Sequence, residues 1–486
     1  MTLQAYGWPP SVTAGEPVAL HVSTDTGGFE IEVAREGARR EVIWTGRDRA
    51  DAHPIPTDAS ANGCGWPVAL ELPTGTDWQS GFYSVTLTAG DERADAYLVI
   101  RSGEERAPIL LVLSTATWHA YNDWGGPSLY TGGTRVSFER PLAAGFLRKP
   151  DGARRKADAE PDREALGYFR WAEPLGLSNW SGGSGWWNWE RPFLAWAERE
   201  GSAVDVAVSE DLELHPDLLE GHRLFLSVGH DEYWSWGMRD AVETFLAAGG
   251  NAAFFSGNTC YWQVRPEDGF RAMTCFKYRV DEDPVLDTPD RTRLSGAWSD
   301  RRIGRPENAM IGLSFTRGGY SRYGLGVPRA SGAYTVWRPE HWAFEGTDLR
   351  YGDALGLTDA IAGYEVDGCD LTMTDGLPVP TYADGTPAGL EVLASAPARL
   401  WRTDEQPSRY ASEPGELEHV AKSLFGEDWR DEIHRIEHNH AVVAAFEHAG
   451  GGTVFNAGCT DWTYAVEGGD PDVTRVTRNV LERLSR

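Results

Sequence analysis

Cysteine is scarce in this chain. Cys64, Cys260, Cys275, Cys369 and Cys459 are scattered over 486 residues. Their odd number and irregular spacing give neither a zinc motif nor a disulfide framework, which fits a reducing cytoplasm. Basic residues are also in deficit: 45 Lys and Arg against 73 Asp and Glu leave a formal net charge of −28. With no Lys/Arg-rich run to offset it, that acidity argues against nucleic acid and anionic membranes as partners. Long apolar runs are missing too, and none approaches the roughly 20 residues of a membrane span. The opening MTLQAYGWPP has neither the basic head nor the apolar core of a secretory signal. No internal repeat or low-complexity tract is visible. A cytoplasmic location is expected, with homo-oligomerisation left open.

What remains is ordinary in hydrophobic and charged content for a folded protein, and too long for one core, so two or more domains are expected. Residues 1–101 carry alternating segments at 18–22, 29–33, 68–72, 83–87 and 96–100 with turn residues between them, the pattern of an immunoglobulin-like β-sandwich. After the polar linker Arg101–Arg106 the pattern changes. Ile109–Leu113 is a continuous apolar run, as expected of a fully buried strand. Val204–Val208 reads the same way, after helix-like stretches at 164–175 and 192–200. Later, 441–446 and 452–456 read as strands and 471–486 as a terminal helix. Residues 107–486 are therefore expected to form an α/β domain on a mostly parallel sheet. The stretch 263–385, rich in Gly, Arg, Trp and Tyr, is expected to supply long loops and short strands over the site.

The stretch from His222 to Asn258 is the most informative. Leu224–Val228 reads as a buried strand and ends in glycine, and His230-Asp231-Glu232-Tyr233-Trp234 follows. Ser235 is suited to cap a helix whose apolar stripe is Met238, Val242, Phe245 and Leu246, closing at Gly249-Gly250. A second buried run, Ala252–Phe255, delivers Gly257 and Asn258. Such a βαβ unit makes the two strands parallel, so the His/Glu cluster and Asn258 emerge at one edge of the sheet. Open α/β sheets bind ligands at that edge. A lone His or Glu there is more often an ion-pair or loop residue; the clustering favours a site. Tryptophan occurs 21 times. Aromatic walls suit a pocket that excludes water, although for any single Trp core packing is the commoner role.

These motifs resemble the family of the N,N-dimethylformamidase large (β) subunit. The matching pieces are ATWHAYNDWGGPSLY, GHDEYW, FFSGNTCYW, AIAGYEVDGCD and GGGTVFNAGCTDWTYAV, spread over roughly residues 107–486. The resemblance implies a class I glutamine-amidotransferase-like α/β core that hydrolyses a small amide at a mononuclear iron held by two tyrosinates and a glutamate. Carried over by residue, Glu232 falls on the metal-binding glutamate, Tyr121 on a ligand tyrosine and His230 on the neighbouring histidine. Asn258 falls on the asparagine lining the pocket, and Glu365 in the region supplying another catalytic acid. Trp118, Asn122, Trp124, Tyr233 and Trp234 would line the substrate pocket. The region expected to hold the second ligand tyrosine, Gly132–Pro141, contains none. Either Tyr130 or Tyr168 substitutes, or the iron site is not built. Cys260 has no basic partner in sequence and reads as a buried thiol. The function expected is hydrolysis of a formamide-like C–N bond. The alternative is a small-molecule binding or scaffold protein on the same fold with a degraded metal site.

Overall fold

The computed structural model describes residues 3–158, 165–324, 331–407 and 415–486. The chain forms two compact units, one of residues 1–153, 173–222 and 266–274, the other of residues 154–172, 223–265 and 275–486.

In the first unit, Gln4–Trp8, Val18–Ser23 and Val68–Leu72 form one antiparallel sheet. Ser11–Thr13, Glu92–Arg101, Gly81–Ala89, Gly28–Glu36 and Arg40–Arg49 form another, in that order. Alternation explains the second sheet's apolar inner face: Phe29, Ile31 and Val33 of one strand point the same way as Val85 and Leu87 of its neighbour. Val18, Leu20, Val22 and Leu72 from the first sheet join them in one hydrophobic core. The five strands expected here are all present. Gln4–Trp8, Ser11–Thr13 and Arg40–Arg49 were not anticipated. The first is cut short by Pro9, and the last is charged and mostly exposed, so neither shows clean alternation. The same unit contains the buried strand Ile109–Leu113, paired in parallel with Val204–Val208 along its whole length. The helices Thr115–Tyr121 and Glu190–Arg199 lie in it too.

In the second unit, Leu224–His230 and Asn251–Gly257 are parallel and fully in register, from Leu224 opposite Asn251 to His230 opposite Gly257. Between them runs the helix Trp236–Ala247, with the Ser235 hydroxyl accepting from the Met238 amide at 3.2 Å. Met238, Val242 and Leu246 are buried, as the helical stripe requires. The sheet continues through Thr453–Asn456, parallel to Asn251–Gly257, and then through the antiparallel strands Asn439–Glu447, Glu391–Ala398, Tyr334–Val336 and Ala354–Leu355. The helix Pro471–Leu484 buries Val473, Val476, Val480 and Leu484 on one face. From the loop-rich stretch come Ser314–Tyr320 and Glu365–Gly368, an antiparallel pair that sets Tyr320 opposite Glu365. Glu164, expected in a helix, lies outside the described residues; the helix nearest it is Gly167–Ala172.

Candidate active site

The parallel pair brings His230 and Gly257 side by side at one sheet edge. Gly257 has no side chain for a reason: a Cβ there would stand 2.5 Å from the Glu365 carbonyl oxygen and 2.6 Å from the Thr460 amide. The close approach lets the Glu365–Gly368 strand lie across the end of the sheet. Its position is fixed by the Thr460 amide donating to the Glu365 carbonyl at 3.1 Å and the Asp367 amide donating to the Gly458 carbonyl at 2.9 Å. Three segments distant in sequence thus place His230, Asn258 and Glu365 together.

His230 is buried, with Nε2 2.6 Å from Glu365 Oε2 and 3.4 Å from Glu232 Oε2. Glu232 is buried as well, and its Oε1 accepts from the Trp262 indole at 2.7 Å. Asn258 sits in the left-handed region at φ 50°. Among non-glycine residues Asn tolerates that conformation best, because its short side chain bonds locally. Its backbone amide donates to Asp367 Oδ1 at 3.0 Å, followed by Thr259 to Oδ2 at 3.2 Å. Its Nδ2 donates to Glu365 Oε2 at 3.1 Å, and Oδ1 is buried without a hydrogen-bond partner.

Electrostatics distinguishes the acids. Burial alone would raise Glu365, but the charge and hydrogen bond of His230, then Lys156 and Tyr364, hold its carboxyl below the usual range. Burial pushes Asp367 up to about 8, despite the two backbone amides it accepts. Burial also lifts Glu416 to about 8, reinforced by the negative charges of Glu365 and Glu232, although the Tyr320 hydroxyl donates to it at 2.7 Å. An ionised carboxylate beside a histidine, with neutral acids around it, is an arrangement able to move protons.

The other sequence-predicted residues are placed as follows. Asp231 turns the other way, accepting from Ser227 at 2.8 Å. Trp234 is wholly buried against Phe225 and donates to the Asp231 carbonyl at 3.1 Å, while Tyr233, also buried, pairs with Trp262. Cys260 is buried and its thiol is driven well above its ordinary range by desolvation, in keeping with an inert side chain. In the first unit, Tyr121 is buried with its ring 4.1 Å from that of Tyr130. Trp118 donates to Glu190 at 3.1 Å and packs on Tyr97 and Phe82. Asn122 donates to the Pro141 carbonyl, and its Oδ1 accepts from the Trp124 and Ala143 amides. Trp124 donates to Gln4 at 3.0 Å. Tyr168 is buried in the second unit against Trp171.

Sequence reasoning missed Lys156, Tyr320, Tyr364 and Glu416. Only Tyr364 had a signal, its place beside Glu365 in GYEVD; the rest are isolated in sequence.

The family profile described as the N,N-dimethylformamidase beta subunit-like C-terminal region matches residues 30–474. The chain belongs to this family. It is 24% identical over 448 residues to an N,N-dimethylformamidase beta subunit of Alcaligenes sp, covering 87% of this chain and 54% of that protein. With the N,N-dimethylformamidase beta subunit of Paracoccus aminophilus it shares 25% over 453 residues, covering 87% of this chain and 55% of the relative. The chain thus spans about half the length of these curated relatives. As for a metal, Glu232 has the chemistry of a ligand, a buried carboxylate held in orientation by Trp262. Among the described residues no group of three or more His, Cys, Asp or Glu is arranged to hold a metal ion. No described helix is long and apolar enough to cross a membrane.

Proposed function

We propose that this member of the N,N-dimethylformamidase beta subunit-like family hydrolyses a small formamide-like amide, with His230, Glu365 and Asn258 as its reacting side chains. The carrying observation is the 2.6 Å contact between His230 Nε2 and Glu365 Oε2, closed by Asn258 at 3.1 Å, all buried. In the proposed reaction a water oxygen bonds to the carbonyl carbon and the C–N bond breaks. One water proton goes to the departing nitrogen, and acid and amine result. Glu365, kept ionised, takes the proton from water, and His230 passes it to the nitrogen as it leaves. Asn258 orients Glu365 through one amide hydrogen and offers the other to the carbonyl oxygen as charge develops there.

The family resemblance supports iron as the cofactor, with Glu232 as a ligand. Hard oxygen donors suit such an ion, which when bound polarises a carbonyl and acidifies water. The α/β sheet of the second unit, with its site at a strand edge, is in keeping with a glutamine-amidotransferase-like core. The purified chain, loaded with iron and given N,N-dimethylformamide, should release dimethylamine and formate. Binding of the amide without release would instead favour the binding-protein reading. Elemental analysis should find iron near one per chain in the wild type and markedly less in Glu232→Gln. Full metal retention by that variant rejects Glu232 as a ligand.

A further inference from the structure

Lys156 is buried. Its Nζ lies 2.7 Å from the Tyr364 hydroxyl, 4.3 Å from the centre of the Tyr364 ring and 5.1 Å from that of Tyr323. Tyr364 meets the His230 ring edge-on, with centroids 5.9 Å apart at 82°. Tyr320 and Tyr323 both stack on Trp401, at 4.3 and 5.4 Å, and Tyr323 also meets Tyr364 at 5.1 Å. A lysine kept out of water is costly unless hydrogen bonds and ring faces replace its hydration. Here both replacements are present. A residue this costly to bury, one phenol away from the carboxylate of the candidate site, has a use beyond packing.

We propose that Lys156 and Tyr364 are positioning residues for Glu365: Lys156 fixes the Tyr364 phenol, and the two together keep the Glu365 carboxylate aimed at His230. The inference rests on the hydrolase reading given above. The charged and titratable groups around Glu365 are His230 and, on the far side of its ring nitrogen, Glu232 from the sheet edge, Asp367 and Tyr364 from its own segment, Tyr320 from the paired strand, Glu416 from the helix Glu416–Phe425, and Lys156 from the turn Lys156–Asp158. His230 and Lys156 carry the cationic charge that favours the ionised form. Asp367 and Glu416 are acids that oppose it when charged. Lys156 therefore adds to His230 a positive charge that neither Asn258 nor Tyr364 can supply.

The test is the pH profile of dimethylamine release from N,N-dimethylformamide by the iron-loaded full chain, for the wild type, Tyr364→Phe, Lys156→Met and Lys156→Arg, with a melting temperature for each. The sign is set by the loss of a group that favours the ionised carboxylate, the ammonium in Lys156→Met and the phenol hydrogen bond in Tyr364→Phe. Without it the Glu365 pKa rises, so the acid limb of kcat moves to higher pH. Tyr364→Phe and Lys156→Met should lower kcat about tenfold or more, within the range one proton-transfer group commands. KM should change less than threefold, and the acid limb should rise by at least half a pH unit. Lys156→Arg keeps the charge and should keep the wild-type limb. A pH-independent loss that tracks a fall in melting temperature overturns the proposal, since it marks a purely structural pair. Wild-type rates and limbs in both neutral variants overturn it alone and leave the hydrolase reading standing. No turnover by the wild type overturns both.

Discussion

Asn258 shows at the scale of one residue how the fold serves the site. Its left-handed backbone, φ 50°, aims two successive amides at Asp367 and leaves the side chain against Glu365. Asn258→Gly keeps that backbone geometry and removes only the side chain. It should lower kcat on the order of 10- to 100-fold, at or below the loss of one oxyanion donor, with the melting temperature nearly unchanged. Asn258→Ala should lose the same activity and also about 1 kcal/mol of stability, because alanine resists positive φ. Wild-type turnover by the glycine variant would remove Asn258 from the reaction. His230, Glu232 and Asn258 were legible in sequence because each sits just beyond a short apolar run that reads as a buried strand. Lys156 and Glu416 were not, since a charged residue in a polar stretch carries no mark of burial. Only the tertiary contacts with Tyr364 and Tyr320 reveal them.

At the scale of elements, the βαβ unit was readable almost to the residue. The apolar runs of both strands and the helical stripe between them are local signals, and the parallel direction of the strands follows from the crossover. What local signals could not give was the Glu365–Gly368 strand laid across the sheet end, since that depends on contacts from Gly257, Gly458 and Thr460. Gly257→Ala tests this crossing. A methyl 2.5 Å from the Glu365 carbonyl must push the strand away, at a cost of about 1–3 kcal/mol typical of overpacking. Denaturant unfolding should report that loss, with kcat falling further than stability alone explains because Glu365 leaves His230. A stable and fully active Gly257→Ala protein would show that the crossing is not constrained there.

For the whole molecule, the buried acids predict how stability depends on pH. Burial raises Glu210, Asp367 and Glu416 each to about 8. Between the ordinary carboxylate range and pH 8 the folded chain holds protons that the unfolded chain has released. The stability contributed by these neutral acids is whole at and below the ordinary carboxylate range and is lost as pH rises through about 8. Glu365 has the opposite sign: its contribution is present above the ordinary range and disappears as pH falls through its lowered value. Melting temperature should therefore decline from the ordinary carboxylate range up to about pH 8 and level off above it, and Glu416→Gln should flatten that decline. An unchanged slope below about pH 8 in this variant would exclude Glu416 as a source. The two sheets within residues 1–101 share one core, so a fragment ending at Arg101 should unfold cooperatively with a β-rich circular dichroism spectrum. Aggregation of every such fragment would mean that Phe82 and Tyr97, which pack on Trp186 and Trp118, form an obligatory core face. The central claim is that the buried His230–Glu365 pair moves the proton in amide hydrolysis, and Glu365→Gln tests it most directly because it keeps shape and removes charge. Dimethylamine release from N,N-dimethylformamide by iron-loaded wild type and variant is the measurement. The account predicts release by the wild type and a loss of at least about 100-fold in the variant at an unchanged iron content, the scale of a proton-transfer group. Equal rates in the two proteins would contradict it.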